Sequence, residues 1–243
     1  ICNCVLTPNQ QRNSENTLKI KVVDRSGIII EIFAKRALSN EGKLQVQLAE
    51  MIYRKSRLVR AWTHLERQRG GTTFVGGPGE LQIELDRRLI QDKINKIKKR
   101  LKNVSKRRFI QRKSRKKNNF KIFALIGYTN VGKTQLFNKL SNGNEVSANK
   151  LFATLYTKII RVFINNKTTV GIIDTVGFIN NIPTQLIESF KATFEEIYEA
   201  DYIINVVDIN DLNNHTKILN TLSILREMGM SEEKIKNIIT VYN

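Results

Sequence analysis

The chain has 243 residues, 41% of them hydrophobic, enough to bury a sizeable core and to hold more than one domain. No run of 18 apolar residues occurs, so no membrane-spanning helix is expected. The formal net charge of +19 points first to nucleic acid and second to an anionic membrane surface as the partner.

That charge is unevenly spread. Residues 118–243 carry 12 Lys/Arg and 12 Asp/Glu, whereas residues 1–117 carry 29 and 10. One half therefore reads as an ordinary neutral domain and the other as a polycation. Cys2 and Cys4 form no disulfide framework and read as strand residues, which fits a reducing compartment. Ile1 in place of Met, and Asn243 directly after an apolar run, read as cuts through a longer protein.

The first 40 residues read as part of a small α/β unit. Thr7-Pro8 opens a polar helix, because Thr caps and Pro tolerates the first turn. A strand is expected over Lys19–Asp24 and an apolar helix over Ile28–Leu38. Two long helices come next, in 41–117. Leu44, Leu48, Met51, Lys55, Leu58, Trp62 and Leu65 recur at spacings of four and three, and Ile90, Ile94, Ile97, Leu101 and Val104 do the same. Two such stripes predict an antiparallel helical hairpin.

Between Arg87 and Lys117 lie 16 Lys/Arg and one acid, Asp92. A solvated helix face usually mixes signs, so this run is read as a phosphate-facing surface. The connection Gly70-Gly71-Thr72-Thr73-Phe74-Val75-Gly76-Gly77-Pro78-Gly79 is longer than a hairpin needs and is either floppy or shaped for close backbone approach. Phe74 either stacks on an unpaired base or folds back on the hairpin. Candidate RNA contacts are Arg69, Gly70, Gly71, Phe74, Gly76, Gly77, Lys98, Lys99, Arg100, Arg107 and Arg108.

From residue 120 strands and helices alternate, the pattern of an α/β sheet. Strands are expected at Lys121–Ile126, Thr157–Ile164, Thr169–Ile173, Tyr202–Val207 and Ile235–Val241. Helices are expected at Lys133–Leu140, Pro183–Tyr198 and Asn213–Met228, with a hairpin turn at Asn165-Asn166-Lys167.

Gly127-Tyr128-Thr129-Asn130-Val131-Gly132-Lys133-Thr134 matches the P-loop pattern, after a buried-strand sequence and before a helix. Its glycines let backbone N–H groups wrap phosphates. Lys133 supplies positive charge, and Thr134 offers a hydroxyl to Mg²⁺. Asp174-Thr175-Val176-Gly177 comes 41 residues after Lys133, with Asp174 expected to hold Mg²⁺ through water and Gly177 to sense the γ-phosphate. Lys133, Asn130 and Gly177 are the candidate catalytic residues. Thr154 is the best candidate for a second Mg²⁺ hydroxyl, with Thr157 its rival. Phe178 stands where Ras has a water-orienting glutamine and cannot do that job by hydrogen bonding. Asn130 is a candidate to help hold a monovalent cation such as K⁺.

Several segments together resemble the HflX family of ribosome-associated GTPases. They are Val23-Asp24-Arg25-Ser26-Gly27, Glu41-Gly42-Lys43-Leu44-Gln45-Val46, Gly76-Gly77-Pro78-Gly79-Glu80, Gly127-Tyr128-Thr129-Asn130, Leu151-Phe152-Ala153-Thr154-Leu155 and Asp174-Thr175-Val176-Gly177-Phe178. The resemblance covers nearly the whole chain in order. It implies an N-terminal α/β subdomain, a helical hairpin and a Ras-like P-loop GTPase domain. It also implies GTP and Mg²⁺ as cofactors, GTP-dependent splitting or rescue of ribosomes on the large subunit, and a hairpin tip reaching the peptidyl-transferase region. By the same resemblance Phe152, Ala153, Thr154, Leu155 and Tyr156 join the nucleotide site, with Thr154 as the switch I Mg²⁺ ligand. Asn243 would open the guanine-reading Asn-Lys-x-Asp motif. This sequence departs at Tyr156-Thr157, where the family has Asp-Pro, at Val131 where Ala is usual, and at Leu81 in place of Thr.

The expected function is a GTP hydrolase acting on the large ribosomal subunit through rRNA. The rivals are a nucleotide-gated rRNA-binding or assembly factor with negligible turnover, and a tRNA-modifying or membrane-recruited GTPase. A monomer in the bacterial cytoplasm is expected, with an organellar matrix as the alternative.

Overall fold

The computed structural model describes residues 1–58, 78–117, 120–141, 158–165, 168–180 and 183–243. These form two compact units. One takes in 1–35, 43–103 and 183–189; the other takes in 36–42, 104–182 and 190–243. Residues 70–77 of the expected Gly-rich tip, with the candidates Gly70, Gly71, Phe74, Gly76 and Gly77, lie outside the described residues, as do Arg69, Trp62 and Leu65, whereas Pro78 and Gly79 belong to a helix.

In the first unit, α1 (Pro8–Leu18) begins as the sequence implies. Thr7 and Gln10 form a reciprocal capping box, with Pro8 in the first turn. The strand expected over Lys19–Asp24 does not form. Its backbone is instead bonded by α1 side chains: Gln11 donates to the Val22 carbonyl at 2.8 Å, and Glu15 accepts from the Val22 N–H at 3.0 Å. Only a single bridge, Cys2 to Asp24, is strand-like. An apolar alternation cannot hold a strand without a neighbouring ladder.

Asp24 organises the rest of this unit. Its carboxylate is fully buried and accepts from the Gly27 N–H at 2.9 Å, which caps α2 (Arg25–Arg36). It also accepts from the Tyr53 hydroxyl at 2.8 Å and the Leu6 N–H at 3.3 Å, and pairs with Arg57. Tyr53 and Arg57 lie on α3 (Asn40–Leu58), so one carboxylate ties α2, α3 and the N-terminal segment together. Burial, then the bond to Asp24, pushes the Tyr53 hydroxyl up to about 12.

Along α3, Leu48 is buried with Gln45, Val46 and Ala49, so the helix covers more than the single stripe its spacing implies. Helix α4 (Pro78–Lys117) is one 40-residue helix. Ile94 is buried, and Ile90, Ile97, Leu101 and Val104 are half-buried along the same face. Lys55 donates to Gln91 at 2.5 Å, and Glu41 meets Arg108 at 2.6 Å. Partners that descend along α3 as they ascend along α4 make the pair antiparallel.

The second unit carries a five-stranded sheet in the order β2-β3-β1-β4-β5. The strands are β1 (Ile122–Ile126), β2 (Lys158–Asn165), β3 (Thr168–Asp174), β4 (Tyr202–Val207) and β5 (Ile239–Tyr242). Only β2 is antiparallel to its neighbour, β3, and the other pairings are parallel. The unbroken apolar runs of β1 and β4 suit strands covered on both faces. Helix α5 (Lys133–Ser141) places Phe137 in a cluster with Leu125, Val170 and Ile172.

Two expected elements form differently. The helix expected over Pro183–Tyr198 is two helices, α6 (Thr184–Ser189) and α7 (Lys191–Glu199). They are separated at the buried Phe190, whose φ of −93° and ψ of 9° leave the helical region. The strand expected over Ile235–Val241 begins only at Ile239. Ser231 caps a short helix, α9 (Glu232–Lys236), whose first turn holds Glu232 and Glu233. Helix α8 (Asn214–Glu227) precedes it as expected.

Removing the Asp24 carboxylate leaves Arg57 without its counter-charge and α2 without its cap. Asp24→Ala is expected to lower the unfolding free energy by about 3–5 kcal/mol, and Asp24→Asn by less, because Asn still caps. Urea unfolding that shows equal losses for both would contradict the capping contribution, because both substitutions remove the charge pair.

Candidate nucleotide-binding site

Parallel pairing of β1 with β3, register Leu125 to Asp174, brings the loops after these strands to the same sheet end. The 127–134 loop therefore meets the 174–178 segment. The backbone bonds are direct: the Phe178 N–H donates to the Gly127 carbonyl at 3.0 Å, and the Thr129 N–H donates to the Phe178 carbonyl at 2.9 Å. The Thr175 hydroxyl donates to the Leu125 carbonyl at 2.6 Å and anchors the second segment to β1.

The loop glycines answer steric demands. Gly127 has φ +135°, and a Cβ there would stand 2.3 Å from the Val206 carbonyl oxygen. Gly132 has φ +88°, with the Asn243 amide against it. Asn130 holds φ 64° while exposed, a left-handed conformation that Asn tolerates better than most residues. Val131 is buried, and its carbonyl accepts from the Asn243 amide at 3.2 Å. Asn243 thus reaches the loop.

Lys133 is only 7% exposed. Its ammonium donates to the carbonyls of Gly127 at 3.0 Å and Tyr128 at 2.5 Å. Burial lowers its pKa to about 8, partly opposed by the Asp174 carboxylate. The Thr134 hydroxyl donates to Asp174 at 2.9 Å. A hydroxyl and a carboxylate so placed are hard oxygen donors, the set Mg²⁺ prefers.

Gly177 lies against the loop, where a Cβ would be 2.9 Å from Thr129 Cα and 3.0 Å from Lys133 Nζ. Phe178 is 1% exposed, its ring stacked 6.3 Å from that of Phe194. It is a core residue and does not face the loop mouth. The Tyr128 hydroxyl donates to Asn180 at 2.7 Å, and the Lys217 ammonium lies 5.4 Å from the Tyr128 ring centroid. Asn180 and Lys217 carried no motif signal in the sequence. Phe152, Ala153, Thr154, Leu155, Tyr156 and Thr157 lie outside the described residues.

Of the described RNA candidates, Lys98, Lys99, Arg100 and Arg107 are exposed on α4, and Lys98 pairs with Glu188 at 2.7 Å. Arg108 departs from the expectation. Its side chain is 16% exposed and is engaged by Glu41 at 2.6 Å, with Glu196 at 3.8 Å. Its place on the heptad stripe, four residues after Val104, is a signal that could have revealed this.

Gly177→Ala is expected to push the 174–178 segment off the loop and cost one charge-assisted bond to a terminal phosphate. Triphosphate affinity should fall roughly 10- to 100-fold, with diphosphate affinity near wild type by fluorescence titration. For Lys133, the unfolded ammonium keeps its proton to about 10.5 and the folded one to about 8. Between these values the unfolded chain binds more protons, so the fold gains stability as pH rises through that window. A polyphosphate restores the charged form. Nucleotide binding near pH ~9 is therefore expected to take up a proton, read by calorimetry in buffers of different ionisation enthalpy. A buffer-independent heat contradicts it.

Three family models match the chain: GTP-binding GTPase N-terminal over residues 1–34, GTP-binding GTPase Middle Region over 36–115, and 50S ribosome-binding GTPase over 122–243. GTPase HflX of Magnetococcus marinus is 47% identical over 243 residues, 100% of this chain and 56% of the relative. GTPase HflX of Escherichia coli is 42% identical over 227 residues, 93% of this chain and 53% of the relative. A GTP-binding protein from the hyperthermophilic archaeon Sulfolobus solfataricus, in complex with GDP, superposes with a TM-score of 0.50 at 26% identity. That match covers 98% of this chain and 61% of the archaeal one. The chain spans about half the length of the curated relatives it matches. With three matching models in order and relatives of this identity along its whole length, the chain belongs to the HflX family of GTPases.

Proposed function

We propose that the full-length protein hydrolyses GTP and docks on the large ribosomal subunit, coupling its nucleotide state to ribosome splitting or rescue. The organisation proposed for this work has three parts: part of an N-terminal α/β subdomain over 1–40, a basic helical hairpin over 41–117, and a GTPase domain over 118–243. The observation that carries the reading is the division of charge. A 40-residue helix exposes Lys96, Lys99, Arg100, Lys102, Lys106 and Arg107, while the sequence around the P-loop is neutral. Exposed cations of one sign on a rigid rod suit a phosphate backbone. The description of the family matching residues 122–243, 50S ribosome-binding GTPase, favours rRNA of the large subunit.

In this proposal Gly127 to Thr134 wrap the phosphates, Lys133 neutralises them, and the Gly177 N–H senses the terminal one. Thr134 holds Mg²⁺ directly and Asp174 holds it through water, with Thr154 as the further hydroxyl. When bound, the ion neutralises charge building on the β- and γ-oxygens. Asn243 contributes to the base side of the site. Asn130, exposed beside the loop, is proposed to help hold K⁺. The protein is proposed to act as a monomer in the bacterial cytoplasm.

The burial of Phe178 favours a second reading, an rRNA-binding or assembly factor with negligible turnover, because that side chain orients no water. Single-turnover hydrolysis by the full-length protein, with and without large subunits, separates the two. Stimulation is expected under the first reading and none under the second. Neutralising Lys99, Arg100 and Arg107 together should weaken subunit binding and reduce the log K against log salt slope by up to about 0.7–0.9 per lost phosphate contact. An unchanged slope would remove the hairpin from the interface.

A further inference from the structure

Glu41 belongs to a family-like motif that the nucleotide site does not use, and Arg108 was expected to face RNA. The second unit joins them. The Phe178 backbone is bonded to Gly127 and Thr129 of the P-loop, and its ring stacks on Phe194 of α7 with planes 9° apart. The next residue, Glu195, accepts from Ser105 of α4 at 2.8 Å. The one after, Glu196, is buried and lies 3.8 Å from Arg108 Nη1. Arg108 Nη2 meets Glu41 Oε2, in the first turn of α3, at 2.6 Å.

One guanidinium therefore serves two carboxylates on different elements, and it serves them unequally. Nη2 is satisfied by Glu41, whereas Nη1 is buried without a hydrogen-bond acceptor and sits beside Glu196. A buried donor of this kind is costly, and the cost falls if Glu196 approaches. A rigid planar fork can turn from one carboxylate toward the other with little change of its own shape. An arginine placed between two carboxylates can form two discrete pairings, the kind of two-state element that carries coupling between sites.

We propose that Arg108 is a positioning residue through which movement of the segment after Gly177 resets the first turn of α3. In one state Arg108 is held by Glu41 and α3 is fixed at its start. In the other, α7 has moved with Phe178, Glu196 takes the guanidinium, and Glu41 is released. The first turn of α3 then responds to the nucleotide. The inference rests on the nucleotide-switch reading above.

The test is amide hydrogen exchange of the full-length protein loaded with GDP or with a non-hydrolysable GTP analogue. Peptides covering residues 40–47 and 127–134 are monitored. In wild type, exchange over 40–47 is expected to differ between the two nucleotides. Glu196→Gln and Arg108→Met should abolish that difference while both nucleotides still protect 127–134, and Arg108→Lys should retain part of it. A role in stability alone would change exchange equally in both nucleotide states. Glu196→Gln is nearly isosteric and decides the matter should Arg108→Met fail to fold. A wild-type protein with no difference over 40–47, or a difference that survives Glu196→Gln, overturns the coupling. Absence of protection over 127–134 with either nucleotide overturns the nucleotide reading beneath it.

Discussion

The seating of Gly177 and Phe178 on the P-loop constrains most of what surrounds it. Two backbone bonds clamp the segments together, and the approach is close enough that a single methyl group at Gly177 would strike Thr129 and Lys133. The parallel pairing of β1 with β3 makes this possible, since it delivers both loops to one edge. Lys133 then has little access to water and turns to the backbone carbonyls of Gly127 and Tyr128. Its lowered pKa is the electrostatic consequence of that packing. Two neutral carbonyls offset only part of the desolvation of a buried ammonium, so the site favours an anion beside it.

The positive charge of the chain does not all serve one purpose. Arg57 and Arg108 are drawn inward by carboxylates, Asp24 for the first and Glu41 with Glu196 for the second. Guanidinium suits such places because it is planar, weakly hydrated and donates from several directions. The exposed cations of α4 include several lysines, whose strongly hydrated ammonium groups stay in solvent unless a phosphate replaces the water. A count of charges along α4 thus overstates the cations available to a partner, by Arg108 at least.

The fold was legible where backbone periodicity and local chemistry agree. The Thr7-Pro8 helix start, the strands at 122–126 and 202–207, and the P-loop between β1 and α5 all formed where their residues indicated. Expectation failed where a tertiary partner decided the outcome. Lys19–Asp24 lacks a ladder and is bonded by Gln11 and Glu15 instead. Residues 232–236 became a helix because Ser231 with two glutamates outweighed an apolar run. Within the candidate site, Lys133, Thr134, Asp174 and Gly177 carry their chemistry in their spacing. Asn180, Phe194 and Glu196 do not, because they matter only through the three-dimensional contacts of Tyr128, Phe178 and Arg108.

Phe178 shows why a side chain must be judged by its place as well as its type. Beside Ras it is a missing glutamine, a loss of water positioning. In the fold it is a core residue that ties the segment after Gly177 to α7. The side chain packs in the core, so in the proposed hydrolysis it leaves the assisting role to another group. Asn130 of the P-loop, proposed above to help hold K⁺, is exposed and held at φ 64°. A left-handed residue in a tight loop has few alternative conformations, so its side chain is presented at little further entropic cost. The neighbouring backbone provides the rigidity. Phe178 contributes to it indirectly, because the same two bonds that bury its ring hold Gly127 and Thr129 in place.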